Sequence, residues 1–309
     1  MKLEPANQIR LFSHKEKFEN LINLYSENKL PNKILFSGEK GIGKCTLAYH
    51  IVNYILSLSE ENPYDTKNLQ INSENKSFKL VQNKSNPNFI LIDVSADKKN
   101  IDIDQIRNLI LSLNKSSFND KPRIVLIDNI ELLNINSVNA LLKILEEPND
   151  NINFILINNN KKILPTLKSR CLNFKIQLNF NQSIDTINKI LNNNIYDLLN
   201  IDLINHYNTP GQLFNLINLQ NQFDLNLKEM NLKDLIFFII KNKHYKKDFI
   251  NNELIYSLIE FYLRSKISVD DISLINIKDY FLKKINDTKK FNLDEETLLM
   301  EFEDKVLNG

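Results

Sequence analysis

The chain has 309 residues, 42% of them hydrophobic and 25% charged, with a formal net charge of +1. That length exceeds a usual single domain and the apolar content is enough for sizeable cores, which excludes a disordered chain and predicts roughly two or three domains. The mixed, near-neutral charge excludes the basic footprint of a stand-alone nucleic-acid binder, and no window approaches the ~18 consecutive apolar residues of a membrane span or the apolar core of a secretory signal, so a cytoplasmic location is expected.

Residues 1–178 alternate short apolar runs with helical patterns, the mark of βαβ units on a mostly parallel sheet. Strands are expected over Ile34–Phe36, Phe89–Val94, Ile124–Asp128, Phe154–Ile157 and Leu172–Ile176, with helices over Thr46–Leu58, Ile103–Leu113 and Ser137–Leu145. The polar, poorly periodic stretch 59–88 reads as an insertion or long connection and not as a core element. Beyond residue 178 strand signals fade, and helical patterns follow over Ile184–Leu199, Gly211–Leu219, Leu232–Lys241, Glu253–Ser265 and Ile272–Asn286. A small helical domain over 179–222 and a second over 223–309 are expected. The apolar faces of Phe237–Ile240 and Leu254–Leu263 suit either internal core or packing against another subunit.

Asn is heavily used, Gly is limited to 5 and Trp is absent. Runs such as Asn158-Asn159-Asn160 and Asn192-Asn193-Asn194 are therefore read as turns without functional weight. Two cysteines, Cys45 and Cys171, lie in different motifs, which argues against a disulfide framework and is too few for a Cys-only zinc site.

The clearest chemical motif runs from Gly38 through Gly41 and Gly43 to Lys44, Cys45 and Thr46, after an apolar strand and at the start of a helix. This is the context of a phosphate-binding loop, in which backbone N–H groups curl around a phosphate and the lysine neutralises it. The position after Lys44 calls for a hydroxyl on a hard Mg²⁺ ion, and Cys45 offers a soft thiol instead. Thr46, about 100° round the helix, does not simply replace it. Two readings stay open: residual nucleotide binding, or a loop kept because its glycines and lysine pack the strand–helix junction. A second apolar strand, Ile124-Val125-Leu126-Ile127, ends at Asp128, placed to help hold Mg²⁺ through water, or else simply to cap the strand. A hydrolytic site needs a carboxylate next, and Asn129 cannot accept the proton. Glu131 is expected on a different face.

Three further segments carry a family resemblance: Asp128-Asn129-Ile130-Glu131-Leu132-Leu133-Asn134, then Asn139 through Leu145-Glu146-Glu147-Pro148, then Leu164-Pro165-Thr166-Leu167-Lys168-Ser169-Arg170-Cys171. With Asp104-Gln105-Ile106-Arg107 ahead of them, their order and spacing resemble bacterial DNA polymerase III clamp-loader subunits of the AAA+ family over residues 20–178. Asn292-Leu293-Asp294 and the closing helix look like the end of a delta-prime chain. The resemblance implies an AAA+ P-loop sheet domain, a small helical lid and a helical collar. It also implies that Arg170, flanked by Ser169, acts as an arginine finger on ATP bound to a neighbouring subunit. A planar, permanently charged guanidinium suits that task, although a plain salt bridge is the alternative. Cys171 has no recognisable base beside it and is expected to pack the turn.

Relatives in this family often carry a four-cysteine zinc module where 59–88 holds no cysteine, so zinc is not expected. Gln212 stands where related ATPases place a sensor arginine. With the magnesium hydroxyl, the catalytic carboxylate and the sensor arginine all replaced, the chain is similar to the delta-prime branch. It would be a non-hydrolysing stator of the polymerase III holoenzyme, joining gamma/tau and delta in a five-subunit ring that loads the sliding clamp on primed DNA. An active gamma/tau-like ATPase motor is the rival reading, and a free-standing nucleic-acid binder, disfavoured by the charge, is a second.

Overall fold

The computed structural model describes residues 3–95, 98–115, 119–146, 151–246, 252–265, 272–291 and 293–308, so the motif residues Glu147 and Pro148, and Asn292 near the C-terminus, lie outside the described residues. The chain divides into two compact units, one of residues 1–186 with 209–211 and the other of residues 187–208 with 212–309.

The first unit is built on five parallel strands: β1 (Lys33–Ser37), β2 (Phe89–Ile92), β3 (Arg123–Ile127), β4 (Ile152–Asn158) and β5 (Leu172–Lys175), in the order β2-β3-β4-β1-β5. Their near-continuous apolar sequence follows from burial on both faces of a parallel sheet. Side chains alternate across a strand, so Ile34, Phe36, Ile124, Leu126, Ile155 and Ile157 enter one core. Leu35, Val125, Ile127, Phe154 and Leu156 enter the other. The first core takes the apolar faces of α1 (Lys15–Ser26), α2 (Lys44–Ser57) and α3 (Lys76–Gln82). The second takes those of α4 (Ile103–Leu113), α5 (Ile135–Glu146) and the short α6 (Pro165–Ser169). α4 opens on a capping box in which Asp102 accepts from the Gln105 backbone and Gln105 reaches back to Asp102.

The expected strands and helices of this unit are present, with ends shifted by a few residues. The 59–88 segment differs. Tyr64, Ile71, Phe78 and Val81 are buried in the first core, and Asn75 caps α3 by accepting from the Phe78 N–H. Its Glu60 pairs with Lys121 at 2.8 Å and caps the Ser77 N–H at 3.1 Å. The seven residues of α3, about two helical turns, are too short to register as a period, yet the four apolar anchors are enough to seat the segment.

α7 (Phe180–Leu191) leads out of the first unit, and the helix expected over 184–199 is broken in two. Asn192 takes a left-handed conformation, φ 51°, and Asn194 caps the four-residue α8 (Ile195–Leu198) by accepting from the Tyr196 N–H. The second unit continues with α9 (Pro210–Phe223), whose first two residues pack with the first unit, then α10 (Leu232–Lys241), α11 (Asn252–Ser265), α12 (Ile272–Phe291) and α13 (Glu295–Phe302). Ile239 and Ile240 of α10 and Ile255, Ile259 and Leu263 of α11 are buried, so these faces serve as internal core. Asp294 caps α13 by accepting from the Thr297 N–H at 2.9 Å. Among the described residues no helix is long and apolar enough to cross a membrane.

Candidate functional site

The carboxyl ends of the parallel strands converge on the phosphate loop, the usual place for a site in an open α/β sheet. Gly38 follows β1, and a side chain there would meet the Ile176 carbonyl at 2.1 Å. Gly41 and Gly43 hold positive φ, 85° and 90°, and Gly43 caps α2 with its carbonyl accepting from the Leu47 N–H at 2.9 Å. His14 closes the loop from outside: its Nε2 lies 2.6 Å from the Ile42 carbonyl and so carries the proton. Thr46 is half-buried in the first turn of α2.

Lys44 is buried, and its ammonium donates to the carbonyls of Gly38 (2.9 Å) and Glu39 (2.6 Å) and to Asn159 Oδ1 (2.9 Å). An ammonium has three N–H groups, so all of its donor capacity is engaged by its own chain. Burial lowers its pKa to about 8, and Asp128, Glu131 and Glu39 oppose that fall. The loop is also covered. Gly211 donates its N–H to the Gly41 carbonyl at 2.9 Å, and the Thr209 hydroxyl would lie 2.7 Å from a side-chain carbon on Gly41. Gln212, one residue on, lies in the first turn of α9.

Behind the lysine, the half-buried Cys45 donates its thiol to Asp128, and burial first, then the charges of Asp128 and Asp93, hold that thiol well above its ordinary pKa. Asp128 sits one residue past β3, beside Asp93 one residue past β2, since Ile127 pairs with Ile92. Burial and the Asp93 charge raise the Asp128 pKa, against hydrogen bonds from Cys45 and the Asn129 N–H. Asn129, at φ 56°, is tied down by donating to Asp93 (2.8 Å) and accepting from Asn159 (2.7 Å).

Two residues depart from the sequence expectation. Asn159 belongs to a run that reads as turn-forming, but it bridges the Lys44 ammonium, the Asn129 amide and the Glu131 carboxylate. The signal available in the sequence was its place just past an apolar strand, the same place Asp128 has on β3. Glu131 was expected to face elsewhere. The 3-10 turn Ile130–Leu132 instead brings it to Asn159, whose side chain donates at 2.9 Å and backbone at 3.2 Å. Both Glu131 oxygens are thereby engaged.

The Ser169-Arg170-Cys171 motif lies at the C-terminal end of α6. Arg170 caps that helix, donating to the Thr166 carbonyl at 2.8 Å and pairing with Glu146 at the end of α5. Its side chain keeps about a third of its surface, 32%, open to solvent. Ser169 is exposed and turns its hydroxyl to Thr166 O at 3.0 Å. Cys171 packs against the second core, and burial raises its thiol pKa to about 11. Glu131, Leu133 and Ile135 join Leu164 and Leu167 in lining a cleft of about 320 Å³ between the 3-10 turn and α6.

A family model described as "DNA polymerase III, delta subunit" matches residues 13–180, more than half of the chain. A DNA polymerase III subunit delta' from Buchnera aphidicola subsp. Schizaphis graminum is 29% identical over 285 residues, 87% of this chain and 83% of that one. A DNA polymerase III subunit gamma from the same organism is 27% identical over 238 residues, 75% of this chain and 63% of that one. Among solved structures, a DNA polymerase III gamma subunit-related protein of Thermotoga maritima superposes with a TM-score of 0.53 at 17% identity, over 91% of this chain and 96% of that one, a likeness of fold. The parallel sheet with its phosphate loop has an AAA+-like α/β fold and is followed by a helical C-terminal half. With these motifs in this order on this sheet, the chain belongs to the DNA polymerase III delta-subunit family and is a clamp-loader family member.

Proposed function

We propose that this chain is the delta-prime-type stator of a clamp loader: it hydrolyses no ATP itself and presents Arg170 to ATP held by an adjacent motor subunit. The supporting observation is a contrast of charges. The Lys44 ammonium is buried with every N–H engaged in its own chain, whereas the Arg170 guanidinium is partly open at the surface. In phosphoryl transfer a trans guanidinium stabilises the charge spreading over the transferred group, and that work needs an exposed, permanent cation. Its partners in this reading are gamma/tau and delta subunits in a hetero-pentameric ring, which opens the sliding clamp and places it on primed DNA. Difference in affinity between the ATP and ADP states at the Arg170 contact then biases the ring between its conformations. Nucleotide in the chain's own loop is not required.

Reconstitution with gamma/tau, delta, clamp and primed DNA tests this. Arg170→Ala is expected to leave folding and assembly intact and to depress stimulated ATPase, an arginine finger being worth about 10³-fold or more at the site it serves. Normal stimulation would remove Arg170 from the mechanism. The rival, a gamma/tau-like motor, is favoured by the intact Gly38-to-Lys44 spacing and by Asp128. It predicts steady-state hydrolysis by the purified chain that Lys44→Ala abolishes.

A further inference from the structure

We propose that Glu146 is the positioning residue for Arg170, an inference that rests on the reading of Arg170 as a trans-acting group. Arg170 is held at two points. One terminal nitrogen donates to the Thr166 carbonyl within α6, and the other pairs with the Glu146 carboxylate at the last residue of α5. Both anchors belong to helices seated on the second core through Leu145 and Leu167, which are 2% and 1% exposed. The guanidinium is therefore referenced to the sheet and not only to its own flexible stem.

A guanidinium carries five N–H groups. Two are taken by Thr166 and Glu146, and among the described residues the other three have no acceptor within the chain. This division suits a group that must be aimed before its target arrives. The anchors use one N–H on each terminal nitrogen, and the remaining N–H groups stay available for phosphate oxygens. The pair itself is exposed, 32% for Arg170 and 55% for Glu146, so it contributes little to folding. Its consequence lies in orientation: a guanidinium already fixed in a fork loses less freedom when it meets a phosphate.

The sign of the effect separates this role from its opposite. A carboxylate that merely competes for the guanidinium would slow the neighbour's reaction, and its removal would speed turnover. A positioning carboxylate does the reverse. The test uses the assembled loader with clamp and primed DNA, comparing Glu146→Ala, Glu146→Gln, Glu146→Asp, Arg170→Ala and the double variant Glu146→Ala/Arg170→Ala. Glu146→Ala and the isosteric Glu146→Gln are expected to lower kcat at the motor site that Arg170 serves roughly 10- to 100-fold, the scale of a reacting group displaced by about 1 Å, with KM for ATP within about twofold of the parent. Glu146→Asp, one methylene shorter, should fall between them and the parent, and the double variant should match Arg170→Ala alone. Unchanged or faster turnover in Glu146→Gln, a loss confined to KM, or a double variant slower than Arg170→Ala overturns the proposal while leaving the Arg170 reading intact. Parental turnover in Arg170→Ala overturns both.

Discussion

Gly211 and Gly41 meet backbone to backbone: the Gly211 N–H donates to the Gly41 carbonyl at 2.9 Å, and a side-chain carbon on Gly211 would lie 2.7 Å from the Gly41 Cα. The phosphate loop is thus held on its outer side by the Thr209-Pro210-Gly211 segment, and only glycine allows that approach. Gly211→Ala must push one backbone from the other and is expected to cost roughly 1–3 kcal/mol. Gly41→Ala combines a positive φ with a 2.7 Å clash against Thr209 Oγ1 and should cost at least as much. Gly43→Ala has φ 90° but no atom nearer than 3.7 Å, so only the conformational cost of about 1–2 kcal/mol remains. Urea unfolding of the three variants checks the order.

Burial lowers Lys44 to about 8 from its ordinary 10.5. Between those values the unfolded chain binds the extra proton, so this residue makes stability rise with pH from about 8 to 10.5, by up to roughly 3 kcal/mol. Cys45 and Tyr49, whose pKa values are raised, pull the opposite way in the same range. The difference between the parent and Lys44→Met therefore isolates the effect. Stability measured by urea unfolding at pH 7.5, 9 and 10 should climb more, or fall less, in the parent than in the variant.

His50 is buried between two partners that fix its tautomer. Gln8 O at 3.1 Å only accepts, so Nε2 carries the proton, and Nδ1 then accepts from the Tyr64 hydroxyl at 2.7 Å. Burial lowers its pKa to about 4 from 6.5, against the hydrogen bond to Gln8. The unfolded chain binds more protons between these values, so stability is lost as pH falls from about 6.5 to 4, by roughly 2–3 kcal/mol. His14, also lowered by burial, adds a second slope of the same sign. His50→Gln should flatten the pH 6.5-to-4.5 dependence without abolishing it, as read by urea midpoints.

Both thiols are held in the protonated form, Cys171 at about 11 and Cys45 well above its ordinary value. The thiolate is the nucleophile, so at pH 8 the native chain should react with a thiol reagent at least about 100-fold more slowly than a free cysteine. Denaturation in guanidinium should release two equivalents. Fast reaction of either thiol in the native chain would contradict this geometry.

The five strands, with α2, α4 and α5 between them, were legible because a parallel sheet buried on both faces writes its strands as unbroken apolar runs, as in Ile124-Val125-Leu126-Ile127. The 59–88 segment was not, because Tyr64, Ile71, Phe78 and Val81 follow no single period across their turns. Arg170, Lys44 and Asp128 were legible as motif residues, and Asn159 was not, because an asparagine within an asparagine run carries no local signal. Its role arises only where β4 ends beside β1 and β3.

The sequence by itself determined the sheet, the phosphate-loop spacing, the thiol and amide at positions 45 and 129, and the arginine of the Ser169-Arg170-Cys171 motif, because each is a matter of residue type at fixed separation along one chain. Tertiary structure alone decided what those residues touch. Gly211 lies 170 positions from Gly41 and Asn159 lies 115 from Lys44, and local pattern has no term for such pairs. Only the folded sheet turns the lysine inward onto its own loop and leaves the guanidinium of Arg170 at the surface, braced by Glu146.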